Sequence, residues 1–133
     1  MKEIDEAKEY IHKALQDSYV SQNPNDLSDY LVALSGWRFR LGQILAERTL
    51  NYEIAYIEKK RAEDAVFIQF KGTGKTNEES RSLAQVSCVN EAGEAAKALH
   101  AQTEVKMLWE DIKVAIDSIK YKINSLLTEK GEI

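Results

Sequence analysis

Lys71-Gly72-Thr73-Gly74-Lys75-Thr76 separates two long stretches without proline, and its reading decides the architecture of the chain. The run matches the end of the phosphate-binding pattern G-x-x-x-x-G-K-[ST], in which backbone amides cradle phosphates and the lysine reaches them. The first glycine of that pattern would fall at position 69, which is Gln69. Such a loop also follows a buried strand of an α/β sheet. Here the preceding Ala65-Val66-Phe67-Ile68-Gln69-Phe70 continues a helical pattern, and no parallel-sheet pattern occurs elsewhere. The run is therefore predicted to be a turn. Gly72 and Gly74 are expected to supply positive φ at a helix end, and Thr76-Asn77-Glu78-Glu79 fits the capping box that opens a new helix. Without a phosphate loop the chain carries no catalytic signature, and it is expected not to be an enzyme.

Working outward, the stretch before the turn is predicted as one helix over about 29–70. Leu31, Leu34, Trp37, Leu41, Ile44, Leu45, Tyr52, Ala55, Tyr56, Ala62, Val66 and Phe70 recur mostly at three- and four-residue steps. At about 1.5 Å per residue it would be on the order of 60 Å long. Gly36 and Gly42 within it suggest close backbone approach or a slight bend. The stretch after the turn reads as a second long helix over about 77–128, carried by Leu83, Val86, Ala95, Ala98, Ala101, Val105, Leu108, Ile112, Ala115, Ile119, Ile123 and Leu126. A turn at 71–76 makes the two antiparallel, with Trp37 near Trp109 and Tyr56 near Glu91. A shorter amphipathic helix over about 2–18, with Ile4, Ala7, Ile11, Leu15 and Ser18 on one stripe, precedes a linker at 19–28 around Pro24.

The expected fold class is thus all-α, in a single domain: a long, coiled-coil-like antiparallel hairpin with a short N-terminal helix. A two-helix hairpin has too little interior to bury two such helices. The small residues Ala84, Ser87, Cys88, Ala92, Gly93, Ala95 and Ala96 near the turn leave a surface for another subunit, so a homo-oligomeric bundle or ring is expected.

Composition narrows the chemistry. The chain has 133 residues, 30% of them charged, a formal net charge of −4 and one cysteine, Cys88. The lone cysteine excludes an intrachain disulfide and suits a reducing, cytoplasmic compartment, where it would be a small packing residue. The charged N-terminal segment and the lack of a long apolar run speak against secretion or membrane insertion. His12 and His100 fit no metal-ligand spacing, and the carboxylates lack the Glu-x-x-His partner of a bundle metal site. No metal or cofactor is expected.

The charge is uneven. Residues 1–30 hold three basic and seven acidic side chains, whereas residues 31–75 hold eight basic and five acidic, a local +3. Arg38, Arg40, Arg48, Lys59, Lys60, Arg61, Lys71 and Lys75, interleaved with Trp37, Phe39, Tyr52 and Tyr56, are the candidate nucleic-acid contacts, because cations on phosphates and rings beneath bases hold single strands without reading sequence. The alternative is a solvated helix face on a structural or interaction protein, such as a phage assembly factor or an adaptor.

Trp37, the charged Glu58-Lys59-Lys60-Arg61, Phe70 before Lys71-Gly72-Thr73-Gly74, Trp109, and Ile116-Asp117-Ser118-Ile119-Lys120 together resemble the layout of the T4-type phage recombination mediators over about residues 34–123. That resemblance implies a small all-helical protein that forms rings, binds single-stranded DNA and helps load a recombinase in the host cytoplasm.

Overall fold

The computed structural model describes residues 2–129 and 131. Four helices follow one another: α1 (Lys2–Val20), α2 (Pro24–Lys71), α3 (Asn77–Ser87) and α4 (Val89–Glu129). There is no strand among the described residues, so the chain is all-α.

The break between α1 and α2 is much tighter than a linker at 19–28. Pro24 is the first residue of α2 instead of part of a connection. Proline lacks an amide hydrogen, and the first turn of a helix has no acceptor for one, so its fixed φ suits that position. Asn23 caps it: its Oδ1 accepts from the Asn25 amide at 2.9 Å, and its carbonyl receives the Leu27 amide at 3.2 Å. Leu27 is consequently a helical residue, and it is fully buried.

At the other end of α2 the predicted turn forms. The amides of Gly72, Thr73 and Gly74 donate back to the carbonyls of Ile68, Phe70 and Lys71 at 3.0–3.1 Å. Gly74 has φ 87°, whereas Gly72 is not among the positive-φ residues, which corrects the expectation for that glycine. Thr76 caps α3: its Oγ1 accepts from the Glu79 amide at 3.1 Å. The same hydroxyl donates to the Glu79 carboxylate at 3.1 Å.

The second long helix is divided. Cys88 has φ −106° and ψ 29°, well away from helical values, and separates α3 from α4. The bonds on either side survive, from the Cys88 amide to the Ala84 carbonyl and from the Ala92 amide to the Cys88 carbonyl, both 3.0 Å. The dislocation is one residue long. It falls in Ser87-Cys88-Val89-Asn90, four residues that all rank low in helix propensity.

Contacts divide the chain into two compact units, residues 1–45 with 104–133 and residues 46–103. The first unit contains a three-helix core. From α1 come Ile4, Ala7, Ile11 and Ala14, from α2 Leu27, Leu34, Leu41 and Ile44, and from α4 Val105, Leu108, Ile112, Ala115, Ile116, Ile119 and Leu126. Ala14, not Leu15, completes the α1 stripe, and Leu15 stays 42% exposed. The neighbours of Trp37 and Trp109 are set by the core. The Trp37 ring lies 6.3 Å from that of Tyr10 on α1, while Trp109 packs beside Gly42, where an added Cβ would come 3.4 Å from the indole Nε1.

Two polar ties hold the C-terminal end of α1. The Tyr30 hydroxyl donates to Asp17 at 2.7 Å, and this bond to a carboxylate pushes the phenol up to about 12. Lys122 of α4 donates to the carbonyls of Ser18 and Tyr19, at 2.6 and 2.7 Å. Those carbonyls belong to the last turn of α1, which has no basic residue of its own. Lys122 thus supplies both the missing donors and the positive charge that a helix C-terminus favours.

The second unit has two layers: the C-terminal half of α2 against α3 and the start of α4. Near the turn, Phe67 and Arg81 line one cavity, as the predicted register requires. Past Cys88 the Gln102 side-chain amide donates to Thr49 Oγ1 at 3.0 Å. Four residues of this unit are buried: Ser80, Ala84, Cys88 and Ala95.

Gly74→Ala should lower stability by about 1 kcal/mol, because it forces a Cβ into positive φ, while Gly72→Ala should cost less. Thermal melts of the two variants check the order. Lys122→Met should cost about 1–2 kcal/mol by leaving the α1 carbonyls without donors, with the loss visible in urea unfolding at unchanged m-value.

Candidate nucleic-acid interface

The candidate cations divide by unit, and in the first unit they are engaged within the chain. Arg38 lies over the Trp109 ring, its guanidinium carbon 4.1 Å from the centroid, with a buried Nε that has no hydrogen-bond partner. A guanidinium held flat on an indole gains cation–π attraction and apolar cover. Arg40 grips the Glu3 carboxylate with two nitrogens, Nη2 at 2.8 Å and Nε on the other oxygen. That bidentate bond holds the Glu3 carboxyl below the usual carboxylate range. Both arginines therefore tie helices of the first unit to one another.

In the second unit Arg48 points inward, its Nη1 donating to the Ala101 carbonyl at 2.8 Å. Lys59 pairs with Glu63 at 3.8 Å. Both of those side chains are mostly covered, at 29% and 16% exposure. Lys71 donates to the Lys75 carbonyl at 3.3 Å, and Lys75 is half-buried. The amides of Gly72, Thr73 and Gly74 are likewise directed to helix carbonyls.

Lys60 and Arg61 remain exposed. Lys60 Nζ stands 5.6 Å from the centre of the Tyr56 ring, and Tyr56 meets Tyr52 edge-on at 6.2 Å. Residues 52, 56 and 60 are spaced by one helical turn, so two rings and a cation line up along one side of α2. Tyr56 is 43% exposed. Glu91, expected near Tyr56, shares a small cavity with Ala55, Glu58, Asn90 and Glu94.

Lys60 also opens onto a cavity of about 430 Å³ shared with Glu63, Asp64, Phe67, Arg81, Ala84 and Gln85. Arg81 was not among the candidate residues. In the linear sequence it stands alone between serines, and only the pairing of α3 with α2 brings it beside Lys60. The same pairing brings acid: residues 46–103 hold eight basic and nine acidic side chains, so the local +3 of residues 31–75 is offset by Glu78, Glu79, Glu91 and Glu94.

Among the described residues no group of three or more His, Cys, Asp or Glu could hold a metal ion, and no helix is long and apolar enough to cross a membrane. Cys88 is buried, and burial, together with Glu91 and Glu63, pushes its thiol up. The thiolate is the reactive form, so this environment suppresses nucleophilic chemistry.

No known protein family, curated protein or solved structure matches the chain.

The folded protein should react with a disulfide reagent at pH 8 far more slowly than the urea-unfolded chain, at least about tenfold, because burial and a raised pKa both lower the accessible thiolate. Absorbance of the released thiol measures both rates.

Proposed function

We propose that this chain is a non-enzymatic, oligomeric accessory protein of phage type that handles single-stranded DNA in recombination. The observation that carries this reading is the Tyr52–Tyr56–Lys60 row with Arg81 beside Lys60: rings and cations along one side of α2. The layout likeness to the T4-type recombination mediators supports it, and a recombinase is the protein partner which that likeness implies. The contacts of α2 with α3 and α4 suit a coiled-coil-like hairpin, with one dislocation at Cys88. The patch is small and the chain acidic, so a single copy would bind weakly. An oligomer that repeats the patch adds weak phosphate contacts into a useful affinity.

A second reading rests on a different observation. Large apolar side chains stand exposed on the second unit, including Leu50, Ile54, Ile57, Ile68, Val86 and Val89. Surfaces of this kind mark protein contacts, so a structural or adaptor role without nucleic acid is the alternative.

Fluorescence anisotropy with a labelled 40-mer oligonucleotide separates the two. Binding should weaken steeply with salt, because phosphate contacts release counterions. Lys60→Gln and Arg81→Gln should each flatten the salt slope by about one unit, and Tyr56→Ala should cost about 1–3 kcal/mol at every sequence alike. Absence of binding at low salt, with the oligomer intact, would leave the interaction-protein reading.

A further inference from the structure

On the C-terminal half of α2, the face turned to α3 and α4 carries Thr49, Tyr52, Ala55, Lys59, Val66 and Phe70, all half-buried. The opposite face is patterned as well. Glu47, Leu50, Ile54, Ile57 and Arg61 follow at alternating steps of three and four, the a/d spacing of a helix–helix seam, and all five are exposed. Leu50 is 56%, Ile54 47% and Ile57 49% exposed. A helix in water keeps its apolar residues to the side that is covered. This stretch is patterned for cover on two sides and has it on one.

The order of the seam identifies what covers it. Around Ile54 it reads nearly the same in both directions: Leu50 and Ile57 flank it, and Glu47 and Arg61 lie seven residues away on either side. A two-fold axis beside Ile54 would lay the helix antiparallel on its own copy. Ile54 then meets Ile54, Leu50 meets Ile57, and Glu47 meets Arg61 at both ends. A parallel arrangement would set Glu47 on Glu47 and Arg61 on Arg61, like charge against like. A two-fold contact demands this self-complementarity, in which the same patch serves both subunits. Resting on the oligomeric reading above, we propose that the Glu47–Arg61 face of α2 is a two-fold interface that binds a second copy of this chain antiparallel, with charge pairs between Glu47 and Arg61 fixing its direction.

The interface leaves Lys60 of α2 and Arg81 of α3 outside it, and it removes Arg61 from the set available to phosphate. A charged rim pair sets orientation and specificity more than affinity, so its reversal is the sensitive probe.

The test uses the full chain with Cys88→Ala, which removes the buried native thiol. Ile54→Cys should cross-link to itself under mild oxidation. Glu47→Cys mixed with Arg61→Cys should give the mixed dimer, and Glu47→Cys alone should give little. In a background without added cysteines, Glu47→Arg should raise the dimer dissociation constant about tenfold by analytical ultracentrifugation. Adding Arg61→Glu should restore it, with circular dichroism unchanged throughout. An oligomer by light scattering that does not cross-link at position 54, or that is indifferent to the charge reversal, overturns this interface and leaves the oligomeric reading standing. A monomer at every concentration overturns both.

Discussion

The docking of α1 onto α2 and α4 is the contact on which the rest of the molecule depends. Two helices alone can hide one stripe each, and a pair of side chains facing across such a seam still has water on both flanks. The stripe of Ile4, Ala7, Ile11 and Ala14 closes the third side, and where it does, Leu34, Leu41, Val105 and Ile112 are removed from solvent altogether. Each fully buried side chain of that kind is worth about 1.5–3 kcal/mol relative to exposure, so the third helix changes the energetics of the two it covers. Residues 46–103 lack any such cover, and their buried set shrinks to two alanines, a serine and a cysteine. One chain therefore contains a closed three-helix core and a more open unit, each using part of α2 and part of α4.

The basic residues are placed by their neighbours in each unit. In the closed unit a positive side chain near the core is drawn into structure: Arg38 becomes a lid on Trp109, and Arg40 becomes a clamp on Glu3. The open unit holds Arg48 on the Ala101 carbonyl and Lys59 against Glu63, and leaves Lys60 and Arg61 exposed. Positive charge on a helix is thus a poor guide to binding until the neighbouring helices are known. The same arginine can recognise a ligand or hold a helix.

The legible parts were those set by local chemistry. Glycines and a threonine at 72–76 announce a helix end and a helix start because backbone conformation and capping depend on a few adjacent residues, and the absence of proline on either side carries the all-α reading. What escaped was decided by position within an element or by distant partners. Pro24 reads as a breaker unless the helix begins at it, and Asn23 as a cap was the available sign. Cys88 interrupts a helix with neither proline nor glycine nearby, through four weak helix formers in succession. Leu15 and Ala14 sit on nearly the same side of α1, and only the packed neighbours decide which is covered. The duties of Arg38, Arg40 and Arg48 require partners far away in sequence.

The clasp of Lys122 on the end of α1 spans 104 residues of chain. Its two ends meet only after both long helices have been made and folded back. Contacts of such separation carry a large loop-closure cost and slow folding, and they sit apart from the helical contacts that form within microseconds. A nascent chain presents α1 before α2 and α4, with its apolar stripe bare and its last carbonyls without the Lys122 donor. The order of synthesis thus opposes the order of stabilisation at this end: the last carbonyls of α1 gain their donor only once Lys122, 104 residues later, has been made.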